Sequence, residues 1–73
     1  MNELLERITV NTHRSGGKPC IRGLLIRVTD VLDMLANGFS TEQILEEIPE
    51  LEADDIKACI AFASMKLSHA ETH

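Results

Sequence analysis

Polar and apolar residues alternate along Arg7-Ile8-Thr9-Val10, which predicts a strand with Ile8 and Val10 facing inward. Leu24 to Val28 alternates in the same way, with Leu24, Ile26 and Val28 on one face and Leu25 and Arg27 on the other. Between them, Asn11 to Gly23 holds Gly16-Gly17, Pro19 and Gly23, the composition of a loop. The simplest arrangement over residues 7–28 is a two-stranded antiparallel ribbon with a long connection. Two strands alone are marginally stable, so the ribbon must lean on helices or on a second chain. Residues 1–6 read as a short helical turn or a loose lead-in.

From Thr29 the period changes to that of helices. Thr29 suits an N-cap, Asp30 and Asp33 fall in the first turn, and Val31, Leu32, Leu35 and Ala36 form an apolar stripe. Asn37-Gly38 ends this helix, with Phe39 placed to fold back on Met34. Ser40 followed by Gln43 is a capping box, and Phe39 with Ile44 forms a hydrophobic staple across it. Pro49 stops the second helix. Leu51 and Ile56 have staple spacing around Glu52, so a third helix is predicted from about Ala53 to about Leu67, with Glu52 as a weak cap. Residues 68–73 read as a flexible tail. The second and third helices, closely joined, match a helix-turn-helix. The expected fold is therefore α+β and mostly helical: one domain over residues 1–73, with an N-terminal ribbon and three helices over 29–67.

The third helix is apolar on two sides. Ile56, Cys59, Ile60, Ala63 and Leu67 form one stripe, expected to face the core. Ala58, Ala61, Phe62 and Met65 fall on nearly the opposite side. The chain has 73 residues, two Phe, no Trp and no Tyr, so little material exists to wrap both sides. Covering of the second side by another chain is favoured over wrapping by the first helix and ribbon. This makes Ala58, Ala61, Phe62 and Met65 candidate protein-interface residues and a homodimer the expected assembly.

Charge is uneven. Residues 1–30 carry five basic side chains, Arg7, Arg14, Lys18, Arg22 and Arg27, against three acidic ones, or +2. Residues 31–73 carry Lys57 and Lys66 against nine carboxylates, or −7. Two halves meeting different partners, complementary surface between two copies, and a plain solvated acidic face all fit this asymmetry. Cys20 and Cys59 are widely separated, and MNELLERI contains no apolar run of signal-peptide length. Reduced, buried thiols in a cytoplasmic protein are expected, and no segment reaches the length of a membrane span.

Two stretches carry a family resemblance. The first is Gly17-Lys18-Pro19-Cys20-Ile21-Arg22-Gly23, followed by Ile26 and Val28. The second is Gly38, Ser40 to Leu45, Pro49, Leu51, and Asp55-Ile56 with Ala58. Over roughly residues 7 to 63 the chain resembles the domain of unknown function 433 family. The departures are Leu24-Leu25 where members usually carry Thr-Arg, Arg27 where proline is frequent, Thr12 in place of the proline of Asn-Pro, and Glu52 in place of a capping Thr. The resemblance implies a homeodomain-like helix-turn-helix and a VapB-type antitoxin, which silences a PIN-like ribonuclease toxin and has a second expected role in repressing its own operon.

The residues themselves weigh against DNA reading by the third helix. Its first turn offers Glu52, Asp54 and Asp55 with Lys57 alone opposing them, and phosphates repel such an end. It also lacks Asn, Gln and Arg to read a base edge. DNA-binding candidates are Arg14, Lys18, Arg22 and Arg27, on the ribbon and its loop. The structural alternative is favoured for them: a tight turn at Gly17-Lys18-Pro19, and Arg22 paired with an acidic helix of the same or a second chain. Gly16-Gly17-Lys18 lacks Walker spacing. Cys20 with His13 lacks a third orienting group, and the cysteines and His13, His69 and His73 lack zinc-ligand spacing. No catalytic residue, metal, cofactor, small-molecule substrate or membrane partner is expected. The leading expectation is an antitoxin-like binding protein; the alternatives are a DNA-binding regulator without a toxin and a plain interaction module.

Overall fold

A computed structural model describes residues 3–10, 13 and 15–71. A 3-10 helix, Glu3–Arg7, leads into strand β1 (Ile8–Thr9), and a 3-10 turn at Ser15–Gly17 precedes strand β2 (Cys20–Ile21). Helices α1 (Val28–Ala36), α2 (Thr41–Glu47) and α3 (Ala53–Glu71) follow. The fold is α+β and mostly helical, with α2, residues 48–52 and α3 in helix-turn-helix order.

The ribbon is antiparallel, with Ile8 opposite Ile21 and Thr9 opposite Cys20. Its second strand is therefore Cys20–Ile21, inside the segment expected to be loop, and not Leu24–Val28. Arg22 (φ 47°) and Gly23 (φ 74°) are both left-handed, and the Leu24 amide donates to the Ile21 carbonyl at 2.8 Å. Two successive residues of positive φ reverse the chain in one step. Ile26 and Arg27 then return alongside β2: the Ile21 amide donates to the Ile26 carbonyl at 3.0 Å, and Cys20 bridges Arg27. The alternation in Leu24–Val28 marks this return, which is too short to be a strand. Ile8 packs on the core as expected. Val10 lies just past the short ribbon and is 60% exposed, a correction to its inward assignment.

The helix ends follow local chemistry. The first helix starts two residues earlier than Thr29 suggested: Arg27 is the N-cap residue, and its amide donates to Asp30 Oδ2 at 3.1 Å. At the other end, Gly38 (φ 92°) closes a Schellman motif. The Gly38 amide donates to the Leu35 carbonyl at 3.0 Å and the Phe39 amide to the Met34 carbonyl at 3.0 Å. The predicted capping box forms in full: the Gln43 amide donates to Ser40 Oγ at 3.1 Å, and the Ser40 amide to Gln43 Oε1 at 2.8 Å.

Ile21, Val28, Val31, Ile44, Leu51, Ile56 and Cys59 form the core. Both cysteines are buried and neither is in a disulfide. Among the described residues no helix is long and apolar enough to cross a membrane. The third helix continues to Glu71, four residues beyond Leu67, so the expected tail is helical to that point. At 1.5 Å per residue its 19 residues span about 28 Å. Only its first half packs on the body, and every residue from Ser64 to Ala70 is exposed.

Gly38→Ala isolates the cost of the left-handed cap, because a Cβ built there meets no atom within 4 Å. Urea unfolding should show a loss of about 1 kcal/mol. An unchanged midpoint and slope would remove the cap from the account.

Candidate functional site

The strongest local chemistry lies at the start of α3. Asp55 is fully buried. Its Oδ2 accepts the Glu52 amide at 2.8 Å, which ties down the first turn of α3. Glutamate is a poor N-cap through its own side chain, and here the carboxylate three residues on captures the backbone instead.

Two arginines beside the ribbon, Arg7 just before β1 and Arg22 just after β2, neutralise Asp55. Arg22 Nε donates to Oδ1 at 3.1 Å and to Oδ2 at 3.2 Å, and its Nη2 donates to Oδ2 at 2.9 Å. The same Nη2 donates to the Glu50 carbonyl at 2.8 Å. Arg7 Nη1 donates to Asp55 Oδ1 at 3.0 Å and to Glu52 Oε1 at 2.8 Å. A planar guanidinium suits this forked pairing. Arg22 reaches it from a left-handed conformation rare outside glycine, stabilised by its amide donating to the Arg7 carbonyl at 2.7 Å.

Burial pushes the Asp55 carboxyl up, but hydrogen bonds from Arg22, the Glu52 amide and Arg7 outweigh it, and the net shift is downward from 3.8. Arg7 is raised by its hydrogen bonds to the Glu52 and Asp55 carboxylates, and Arg22 by those to Asp55. Burial, assisted by the nearby Asp55 charge, pushes the Cys59 thiol up to about 11, so Cys59 stays protonated and is a poor nucleophile. An open groove of about 530 Å³ lies beside the clamp, bordered by Glu3, Glu6, Arg7, Arg22, Glu52 and Asp54.

The expected site residues separate. Arg22 is committed to Asp55; the sequence favoured its pairing with an acidic helix of the same or a second chain, and the helix is that of the same chain. Arg27 is half-buried at the start of α1 and Lys18 is exposed; Arg14 lies outside the described residues. Ala58, assigned to the partner-facing side of α3, is fully buried in the domain's own body and is withdrawn from it. Phe62 packs partly against the core, with Lys66 Nζ 5.4 Å from its ring centroid. Ala61 is half-buried, and Met65 is 38% exposed. Conversely, Ile60 and Leu67, assigned to the core, are 50% and 65% exposed. Apolar periodicity misplaced the buried face because its centre is a charged residue, Asp55. The signal that could have found it was an acid three positions after the cap residue, facing an arginine-bearing ribbon.

These contacts involve both stretches that carried the resemblance. The profile described as "Protein of unknown function (DUF433)" matches residues 8–63. The chain belongs to the DUF433 family. Arg22 and Asp55 both lie within the DUF433 match, which ends at Ala63, where α3 leaves the body. The chain is also similar to "Uncharacterized protein y4eO" of Sinorhizobium fredii (strain NBRC 101917 / NGR234), at 36% identity over 58 residues, covering 80% of this chain and 26% of that protein. The chain thus spans about a quarter of the length of the curated relative it matches. No solved structure matches it significantly.

Asp55→Ala should lower the unfolding free energy by about 3 kcal/mol at neutral pH, because it leaves two guanidinium groups without their buried partner and frees the start of α3. The ionised carboxylate favours the fold, so this contribution is complete above the unfolded value and is lost as pH falls through the lower folded value. The difference between wild type and variant should shrink below pH 3.8. Urea unfolding followed by circular dichroism across pH measures both, and equal stabilities at pH 7 would contradict the clamp.

Proposed function

We propose that this DUF433 domain is an antitoxin-like protein-binding module that silences a PIN-like ribonuclease toxin. The observation that carries the reading is the second half of α3, which projects from the body as a regular helix with apolar residues left uncovered. Met65 lies on one side of this projection, with Ala61 at its base, while Ile60 and Leu67 lie on another. An amphipathic helix laid into a groove is a common mode of protein recognition.

Charge supports the same reading. A ribonuclease must present basic groups to hold RNA phosphates. The acidic half of this chain, with exposed Glu42, Glu46, Glu47, Glu50 and Asp54, is suited to face such a surface. The family resemblance supplies the toxin's class. DNA binding has less support. The first turn of α3 exposes Glu52 and Asp54, and Arg22 is engaged in holding Asp55. Lys18 is an exposed basic candidate that a search for operator binding should target.

Co-expression with the product of the adjacent reading frame tests the proposal. The two should co-purify, and ribonuclease activity of the partner should fall on mixing. Met65→Asp, on the exposed projection, should keep the helical circular-dichroism signal and reduce retention at least tenfold. A neighbouring product that is neither retained nor inhibited would refute the antitoxin reading; a gel shift on upstream DNA, lost in Lys18→Ala, would favour the regulator instead.

A further inference from the structure

We propose that a second copy of this chain covers the Ile60–Leu67 side of α3, with the two helices antiparallel. This deepens the reading of the projecting helix as a docking element and rests on it. Beyond the last buried turn, apolar residues recur at Ile60, Ala63, Leu67 and Ala70, spacings of three and four that form one seam along a helix. Ile60 and Leu67 are 50% and 65% exposed, Ala63 is half-buried and Ala70 is exposed. The seam lies roughly a third of a turn round the helix from Asp55, Ala58 and Cys59; Ile56, on the seam's own line one turn before Ile60, is buried, but beyond Ala63 the seam is exposed. A neighbouring helix can therefore approach it without passing through the domain's own body.

The order of residue sizes identifies the occupant. The seam reads large, small, large, small. Paired with itself in parallel, it would set Ile60 against Ile60 and Ala63 against Ala63, alternating crowded and empty layers. Paired antiparallel about a two-fold axis near residue 65, it sets Ile60 against the second copy's Ala70 and Ala63 against its Leu67. Every layer then holds one large and one small side chain, the alternation that fills a helix interface at close approach. The seam is thus complementary to itself in one direction, as a two-fold interface requires. One feature opposes pairing: Lys66 from each copy falls near the axis, although its ammonium group is drawn over its own Phe62 ring. Added salt screens this repulsion, so the dimer should tighten as salt rises. A seam of four layers buries less than a standard interface, so the dimer is concentration-dependent, not obligate.

Sedimentation velocity on the full chain, from micromolar to near-millimolar concentration, reads the result. Wild type should move from monomer to dimer mass. Leu67→Asp, on an exposed site of the projection, should remain helical and monomeric. Ala63→Leu should weaken the dimer about tenfold by crowding the Leu67 layer, and adding Leu67→Ala in the same chain should restore it. A wild type that stays monomeric throughout would overturn the proposal. So would a dimer indifferent to Leu67→Asp, or a double variant no tighter than Ala63→Leu alone. The test is independent of the partner protein: monomeric mass with toxin retention intact counts against the second copy alone, and dimer mass without retention counts against the antitoxin reading alone.

Discussion

A carboxylate with no exposed surface is held between two arginines, and the architecture turns on that contact. An ionised group removed from water is tolerated only when it is paired and its lone pairs are satisfied. Asp55 meets both conditions through Arg7, Arg22 and the Glu52 amide. Arg7 and Arg22 flank the ribbon strands and Glu52 precedes α3, so satisfying one carboxylate joins the ribbon to α3. The left-handed turn at Arg22-Gly23 belongs to the same arrangement, since it aims the Arg22 guanidinium at the helix start.

The contact also sets the rotation of α3 about its axis. With Asp55 turned inward, Ala58 and Cys59 follow it into the body, Phe62 lies at the edge, and Ile60 and Leu67 turn outward. A domain of this size has a core of a few aliphatic side chains and too little chain left to cover the far end of a 19-residue helix. The exposed apolar side is therefore a consequence of how the polar clamp orients the helix, and it is the surface on which the functional reading rests.

Much of this was legible in the residues. The Ser40–Gln43 box, the Gly38 cap and the stop at Pro49 are local chemistry, and each formed where the sequence placed it. The second strand was misplaced because a four-residue reversal at Ile21–Leu24 depends on Arg22 adopting a left-handed conformation that is uncommon outside glycine. The facing of α3 was misread for a related reason. Apolar periodicity counts Ile60 and Leu67 toward the core and omits Asp55, although Asp55 marks the centre of the buried side. A pairing of Arg22 with an acidic helix was visible as charge complementarity; that the helix is in the same chain, and which acid it offers, required the fold.

The most direct measurement of this central contact is an NMR titration of the Asp55 side-chain carboxyl carbon in the folded protein. Its resonance should titrate with a midpoint below the ordinary carboxylate value of 3.8. A carboxyl that titrates at or above that ordinary value, with the fold intact on both sides of the transition, would contradict it.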